Sequence, residues 1–392
     1  MSFPDTEVFN RLVAGVFRIE DVTSSDPNTG FFLRYRGQLI SDDSAQAYDQ
    51  LAESLTPYNV VPLFRIEEER QVVYLAPKPA DPPREKVSTN IILFVLTVFS
   101  VMLAGVQVEG PLPTDFMGQL LVLVQHIFTG WPFALSLLGI LLAHELGHYF
   151  MSRYHKTPAT LPYFIPFPLS PLGTMGAAIL MRGTPKNKRI LFDIGVAGPI
   201  AGLIVAVPVL IYGLSLSTLD VIEPAPNIFL EGNSLLYLLA KYLVFGQFLP
   251  APVEPQGFLY WLKYFFTGIP FPVGGLDVFI HSVAFAGWAG ILVTALNLIP
   301  AGTLDGGHVV YALFGEKAKK AFPFIVGILV VLGFFWNGWW LWAALLFWLG
   351  RVNAQPMDQI TTLDPARRII AYAMIVVFIL VFTPVPFIVM LP

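Results

Sequence analysis

The chain has 392 residues, 55% of them hydrophobic and 13% charged, with a formal net charge of −4 and a mean hydropathy of +0.66. An ordinary soluble protein is about 25% charged, so this composition implies a polytopic α-helical membrane protein with a soluble portion, and the small net charge argues against a nucleic-acid partner. The lack of cysteine excludes disulfides, thiolate metal ligands and a cysteine nucleophile, so any metal must be held by His, Asp or Glu.

Met1–Asp5 shows neither the basic region nor the following apolar run of a signal peptide. Residues 1–87 are polar and mixed. They predict a strand at Gly15–Asp21, a turn at Asp26–Gly30, a strand at Phe31–Arg36 and a helix at about Asp42–Leu55 with Ser41 as N-cap. Val60–Glu67 and Gln71–Leu75 read as a hairpin around Glu67-Glu68-Glu69-Arg70. The sum is a small soluble α+β domain of ββαββ order. Its arginines Arg34, Arg36 and Arg65 are expected on a solvated sheet face, with docking or dimerisation as the alternative. Pro77 to Pro83 forms a proline-rich linker.

Apolar spans follow near 89–107, 131–153, 190–213, 276–299, 321–336, 338–350 and 368–389. A crossing needs roughly 20 apolar residues, so the pair around Asn337-Gly338 also reads as one tight hairpin. Segments 117–128, 234–249 and 258–268 are short and read as interfacial or re-entrant. Lys and Arg collect in alternate loops: Lys78, Arg84 and Lys86; Arg153 and Lys156; Lys186, Lys188 and Arg189; Lys317, Lys319 and Lys320; Arg351, Arg367 and Arg368. By the positive-inside rule the N-terminus is cytoplasmic and the C-terminus external, with seven spans between.

The second span carries His144-Glu145-Leu146-Gly147-His148 near its cytoplasmic end. Ionisable groups in a membrane span are costly and mark function by default. In HExxH on a helix the two histidines share a face and can chelate zinc, and the glutamate can act as general base. A catalytic zinc takes three protein ligands. The extended pattern HExxHxxGxxH would put the third at position 154, which is Tyr154. Of the other histidines, His155 is read as a solvated edge residue, His126 as too distant, His281 as a partnered polar residue and His308 as a residue of a helix start or a partner to a ligand. Asp305, in Asn297-Leu298-Ile299-Pro300-Ala301-Gly302-Thr303-Leu304-Asp305-Gly306-Gly307-His308, reaches the same side and offers a hard oxygen. Gly306-Gly307 is expected to let backbone approach the metal. Asn297 could hydrogen-bond a substrate carbonyl or an oxyanion.

HExxH followed by NxxPxxxLDGG after a later span resembles the site-2 protease family of intramembrane zinc metalloproteases. Ser170–Ala177 is similar to the family's glycine-rich re-entrant β segment, and Phe192–Pro199 to its FDIxxAGP stretch. Together they look closest to the cyanobacterial and plastid branch typified by the ethylene-dependent gravitropism-deficient and yellow-green proteins. No PDZ-like insertion and no C-terminal CBS pair are read.

The resemblance implies that His144, His148 and Asp305 ligate one Zn2+, that Glu145 is catalytic, and that Gly173, Thr174, Met175 and Gly176 pair with an extended substrate strand. It implies a short re-entrant β segment in the fold and 88–320 as the protease core; 1–87 is read from its own pattern as domain and linker, and 321–392 as C-terminal helices. The expected partners are single-span membrane substrates and the lipid bilayer, with room for a homo-oligomer, in a bacterial cytoplasmic membrane. Two rival readings remain beside regulated intramembrane proteolysis: a proteolytically inactive zinc-binding scaffold, and an ion transporter.

Overall fold

The structure is a computed structural model that describes residues 6–24, 30–80, 86–108, 110, 113–223, 229–270, 272–350 and 355–389. Most of the expected turn at 26–30, and Arg84 and Arg351, lie outside these residues.

The chain opens with an unanticipated helix, α1 (Thr6–Ala14), whose Phe9 and Val13 are buried one turn apart. Strands β1 (Phe17–Ser24) and β2 (Leu33–Leu39) follow, then α2 (Ser44–Leu55), β3 (Val60–Glu67) and β4 (Arg70–Pro77). The strands form one antiparallel sheet of order β1-β2-β4-β3. The N-cap of α2 is Asp43, not Ser41: its carboxylate accepts from the amides of Ala45 and Gln46 at 3.1 Å, meeting two of the donors a helix start leaves unpaired. Ser41 instead accepts from the Asp43 amide at 3.1 Å. The β3–β4 hairpin turns on Glu68 and Glu69, with φ of 46° and 67°, the positive values a two-residue type I′ turn demands. Phe9, Phe17, Tyr35, Leu51, Phe64 and Val73 belong to this unit's own core.

A helical bundle follows. It comprises α3 (Val87–Ala104), α4 (Phe116–Gln125), α5 (Trp131–Tyr154), the hairpin β5 (Tyr163–Pro166) and β6 (Thr174–Ala178), and α6 (Lys188–Ser215). Next come β7 (Thr218–Val221), β8 (Phe229–Glu231), α7 (Leu235–Phe245), α8 (Phe258–Thr267), β9 (Leu276–Phe279) and α9 (Ser282–Asn297). The chain then passes through α10 (Asp305–Phe314), α11 (Lys317–Leu332), α12 (Gly338–Leu349), α13 (Pro365–Val381) and β10 (Phe387–Val389). Among the described residues three helices are long and apolar enough to cross a membrane: Val87–Ala104, Ile127–Tyr154 and Lys188–Ser215.

Two expected spans are shorter as helices. Residues 276–279 of the fourth form β9, paired with β7, which leaves α9 with 16 residues, about 24 Å at 1.5 Å per residue. The last ends at Val381, before Pro384 and Pro386 lead into β10; a proline cannot continue the helix ladder. Core side chains from α5, α6, α9 and α10 interlock around Leu137, Leu141, Phe192, Val196, Trp288 and Val309.

The N-terminal sheet is docked rather than free. Residues 356–361 lie as a strip between the edge of β3 and the start of α6. Phe64 N–H donates to Met357 O at 2.9 Å and Gln359 N–H to Phe64 O at 3.0 Å. On the strip's other side the Met357 and Asp358 amides donate to Pro185 O and Lys186 O at 2.9 and 2.7 Å. Arg65, expected on a solvated face, is half-buried here and donates through Nη1 to the carbonyls of Phe64, Pro356 and Met357. Covering the β3 edge in this way removes an unpaired strand and fixes the sheet at one end of the bundle.

Candidate metal centre

His144, Glu145 and His148 sit in the second half of α5, whose far end is Tyr154. All three are buried, with 3%, 5% and 6% exposure. Such burial in an apolar helix is tolerated only where the groups find partners. Asp305, the first residue of α10, brings a carboxylate to the same point. His144 Nε2 and His148 Nε2 are 3.2 Å apart, and each is 3.3 Å from Asp305 Oδ2. A tetrahedral ion with ligand bonds of about 2.0–2.1 Å separates its donors by about 3.3 Å. The triangle of two imidazole nitrogens and one carboxylate oxygen therefore has the edge length such an ion needs, and its donor chemistry suits zinc. It is the one group of three or more His or acidic side chains with metal-ligand spacing found among the described residues.

The surroundings orient these donors. His148 Nδ1 donates to Ile194 O at 2.7 Å, which fixes the tautomer and turns the Nε2 lone pair toward the other two ligands. Ile194 is held in register by its neighbour Asp193. Arg367 of α13 grips that carboxylate with two bonds of 2.7 and 2.6 Å, and His155 Nε2 donates to it at 2.9 Å. His155 is thus a hydrogen-bond partner tying α5, α6 and α13 together, rather than the solvated edge residue expected from sequence.

Close approach of α5 to α6 depends on glycine. A Cβ at Gly198 would lie 2.0 Å from His148 Nε2, and one at Gly202 3.1 Å from His144 Nδ1. Gly198 lies in the FDIxxAGP stretch noted in the sequence, but its pairing with Gly202, the small-xxx-small signal of close helix packing, was not singled out there. The Gly306-Gly307 pair also stands close to backbone. Cβ atoms there would meet Leu298 O at 2.0 Å and Gly302 O at 2.4 Å. They make room for the 298–302 loop to fold under α10, at whose first residue Asp305 stands.

Asn297 ends α9 with Nδ2 at 3.4 Å from His144 Nε2, so it borders the cluster. The expected strand-pairing residues divide: Thr174 and Gly176 are in β6 and buried, Met175 is in β6 and exposed, and Gly173 lies in the turn before it. Among the described residues β6 pairs only with β5. His126 Nδ1 bonds Val122 O at 2.9 Å at the end of α4, and His281 caps α9 through Val283 N–H at 3.3 Å. Neither belongs to the cluster. His308 packs against Gly195 of α6, where a Cβ would meet its own Cβ at 2.9 Å.

Residues 132–336, holding both HExxH and Asp305, match the model of peptidase family M50. The chain is 27% identical over 317 residues to "Probable zinc metalloprotease EGY1, chloroplastic" of Oryza sativa subsp. japonica, covering 76% of this chain and 50% of that protein. It is 26% identical over 381 residues to "Probable zinc metalloprotease EGY2, chloroplastic" of Oryza sativa subsp. indica, covering 93% and 64%. Against the Arabidopsis thaliana EGY1 protein it is 27% identical over 317 residues, covering 75% and 52%. The chain thus spans about half to two thirds of the length of these relatives.

Proposed function

The chain belongs to peptidase family M50, and on that premise we propose that it is a zinc metallopeptidase that hydrolyses peptide bonds in or beside the transmembrane segment of membrane-anchored proteins. The observation that carries this reading is the buried triangle of His144 Nε2, His148 Nε2 and Asp305 Oδ2, with a buried carboxylate, Glu145, on the same helix turn. A metal site that only braces a fold has no use for a general base, so Glu145 favours hydrolysis over an inactive scaffold.

His144, His148 and Asp305 would hold the ion. The chemistry zinc supplies when bound is Lewis acidity toward a carbonyl oxygen and the acidification of water to a pKa of about 7. Glu145 takes the proton from the attacking water and returns it to the leaving amine. Asn297, at the edge of the cluster, donates through Nδ2 to the carbonyl oxygen as its charge grows. Removing one such donor typically costs about 10²–10³ in turnover. A scissile segment must be extended for its carbonyl to reach these groups. The edge of β6, which among the described residues pairs only with β5, supplies main-chain partners for it.

The N-terminal sheet and the metal cluster share one end of the bundle, through Asp358, Lys186 and the Arg367–Asp193 pair. That end collects Lys186, Lys188, Arg189, Arg367 and Arg368, so we assign it to the cytoplasmic side. We take 1–87 as a docked domain with its linker, 88–320 as the peptidase core and 321–392 as the C-terminal helices that brace it. Purified protein with zinc is expected to cut a detergent-solubilised single-span protein at a bond that mass spectrometry maps to its membrane segment or flank. Chelation should stop the cut and zinc restore it. Cutting that persists in a chelator with no zinc bound would refute the reading.

A further inference from the structure

At the end of the bundle that carries the N-terminal sheet lies a cavity of about 610 Å³, separate in its lining from the metal cluster. Lys188, the first residue of α6, lines it. Only 9% of Lys188 is exposed, and among the described residues its ammonium has no hydrogen bond and no carboxylate at ion-pair distance. The nearby acids are engaged elsewhere. Asp358 accepts from the amides of Ile360 and Thr361 at 2.8 and 3.1 Å and from the Thr361 hydroxyl. Glu316 pairs with Lys319 at 2.6 Å and accepts from Tyr311 Oη at 3.2 Å. The Lys188 ammonium lies against the turn between α10 and α11, where a Cβ on Gly315 would meet Nζ at 3.5 Å.

A buried ammonium with no direct ion pair is costly; Asp358 and Glu316 act on Lys188 only at longer range, and the cavity supplies a place for a closer counter-charge. Two more cations, Lys317 and Arg368, line it and are exposed. Arg368 uses Nε on Leu363 O at 3.0 Å, which leaves its two terminal nitrogens for a ligand. The remaining acid in the lining is Glu69, exposed on the hairpin turn. One lysine in depth with a lysine and an arginine at the rim is a donor set for a phosphate group, met as a point charge by Lys and as a fork by Arg. Glu316, Gln359 and Thr362 also line it, beside an apolar stretch formed by Leu313, Phe314 and Tyr372. Tyr372 is one turn beyond Arg368 along the apolar α13, so the cavity grades from cationic to apolar as a lipid does from head group to chain.

We infer that this cavity binds the phosphodiester head group of an anionic membrane lipid, with Lys188 at its floor and Lys317 and Arg368 at its mouth. Basic pockets between membrane helices suit such head groups. Free inorganic phosphate shares the charge chemistry but has no use for the apolar wall. A lipid here touches α6, the α10–α11 turn, α13 and the hairpin of the N-terminal sheet at once.

The test uses the full chain in neutral detergent micelles doped equally with phosphatidylglycerol and phosphatidylcholine, with retained lipid read by native mass spectrometry. Wild type is expected to retain phosphatidylglycerol in preference. Lys188→Gln and Arg368→Gln should each weaken that retention roughly fivefold, about 1 kcal/mol per cation. Lys188→Arg should keep it, as should Lys320→Gln, whose cation lies outside the cavity. Thermal unfolding in lipid-free detergent checks the fold, and if Lys188→Gln unfolds, the exposed Arg368 carries the test. Equal retention of both lipids by wild type, or equal phosphatidylglycerol retention by wild type and both Gln variants, overturns the inference. So does a thermal shift with inorganic phosphate that depends on Lys188 while phosphatidylglycerol is not retained, since the occupant is then a soluble anion.

Discussion

Gly198→Ala is a one-methyl perturbation whose effect on the metal site follows from the structure. The added Cβ would stand 2.0 Å from His148 Nε2, 2.4 Å from Cδ2 and 2.5 Å from Cε1. All three atoms belong to a ring, so no flexible end can swing aside. To reach an ordinary contact of 3.4 Å the ring or the helix must move by about 1.4 Å. Metal-ligand distances hold to within about 0.2 Å, so the displaced Nε2 leaves the triangle with His144 and Asp305. Losing a mere orienting partner costs about 10–100-fold in metal affinity; losing a ligand should cost at least about 100-fold, close to 2.8 kcal/mol. Overpacking adds about 1–3 kcal/mol of destabilisation. The assay is zinc competition against a chromophoric chelator on purified protein, with helical circular dichroism as the control for folding. Gly139→Ala, on α5 where a Cβ meets nothing within 4 Å, should bind zinc as wild type does. Unchanged zinc affinity in a folded Gly198→Ala protein would refute the geometric argument.

Two further predictions concern the N-terminal sheet. Arg65→Ala removes the donor shared by the carbonyls of Phe64, Pro356 and Met357. Hydrogen bonds to charged groups contribute about 1.5–3 kcal/mol each way they are lost, so hydrogen exchange over 356–361 should quicken by tenfold or more, and an unchanged rate contradicts the docking role. For Glu67, burial pushes the carboxyl up, but hydrogen bonds from the Tyr74 hydroxyl and the Arg34 guanidinium outweigh it and hold the group below the usual glutamate range. A depressed folded pKa contributes stability that is present above the unfolded value, about 4.3, and is lost as pH falls through the folded one. Protection of the β2–β4 amides, corrected for intrinsic exchange, should therefore fall less steeply below about pH 4.3 in Glu67→Gln than in wild type; parallel profiles would count against this.

The sequence was most readable where chemistry sits in short contiguous patterns. His144, Glu145 and His148 share one helix turn, and Asp305 is an acid between a broken helix and a glycine pair. The charged loops put the two segments on one side, and the structure brings the side chains together there. The β3–β4 hairpin was equally plain, because alternating apolar residues flank a charged turn. What escaped depends on distant partners. Gly198 and Gly202 matter only because α5 lies against them. The strip at 356–361 has no periodicity of its own and takes its conformation from β3 on one side and Pro185–Lys186 on the other. Residues 276–279, Leu-Asp-Val-Phe, are too few to tell helix from strand, and β7 decides the matter by pairing with them. His155 looked solvated because its carboxylate partner, Asp193, is 38 positions away. Helix α1, nine residues long, is too short to stand by propensity alone and forms because Phe9 and Val13 enter the core of the sheet.

In the proposed reaction Glu145 does chemistry at a metal it does not hold. Zinc content and cleavage of a single-span substrate, measured side by side on purified Glu145→Gln, test it most directly. One zinc per chain is expected, as in wild type, with cleavage lowered by about 10²–10⁴-fold, the range of general-base catalysis. Full cleavage by a zinc-loaded Glu145→Gln protein would contradict it.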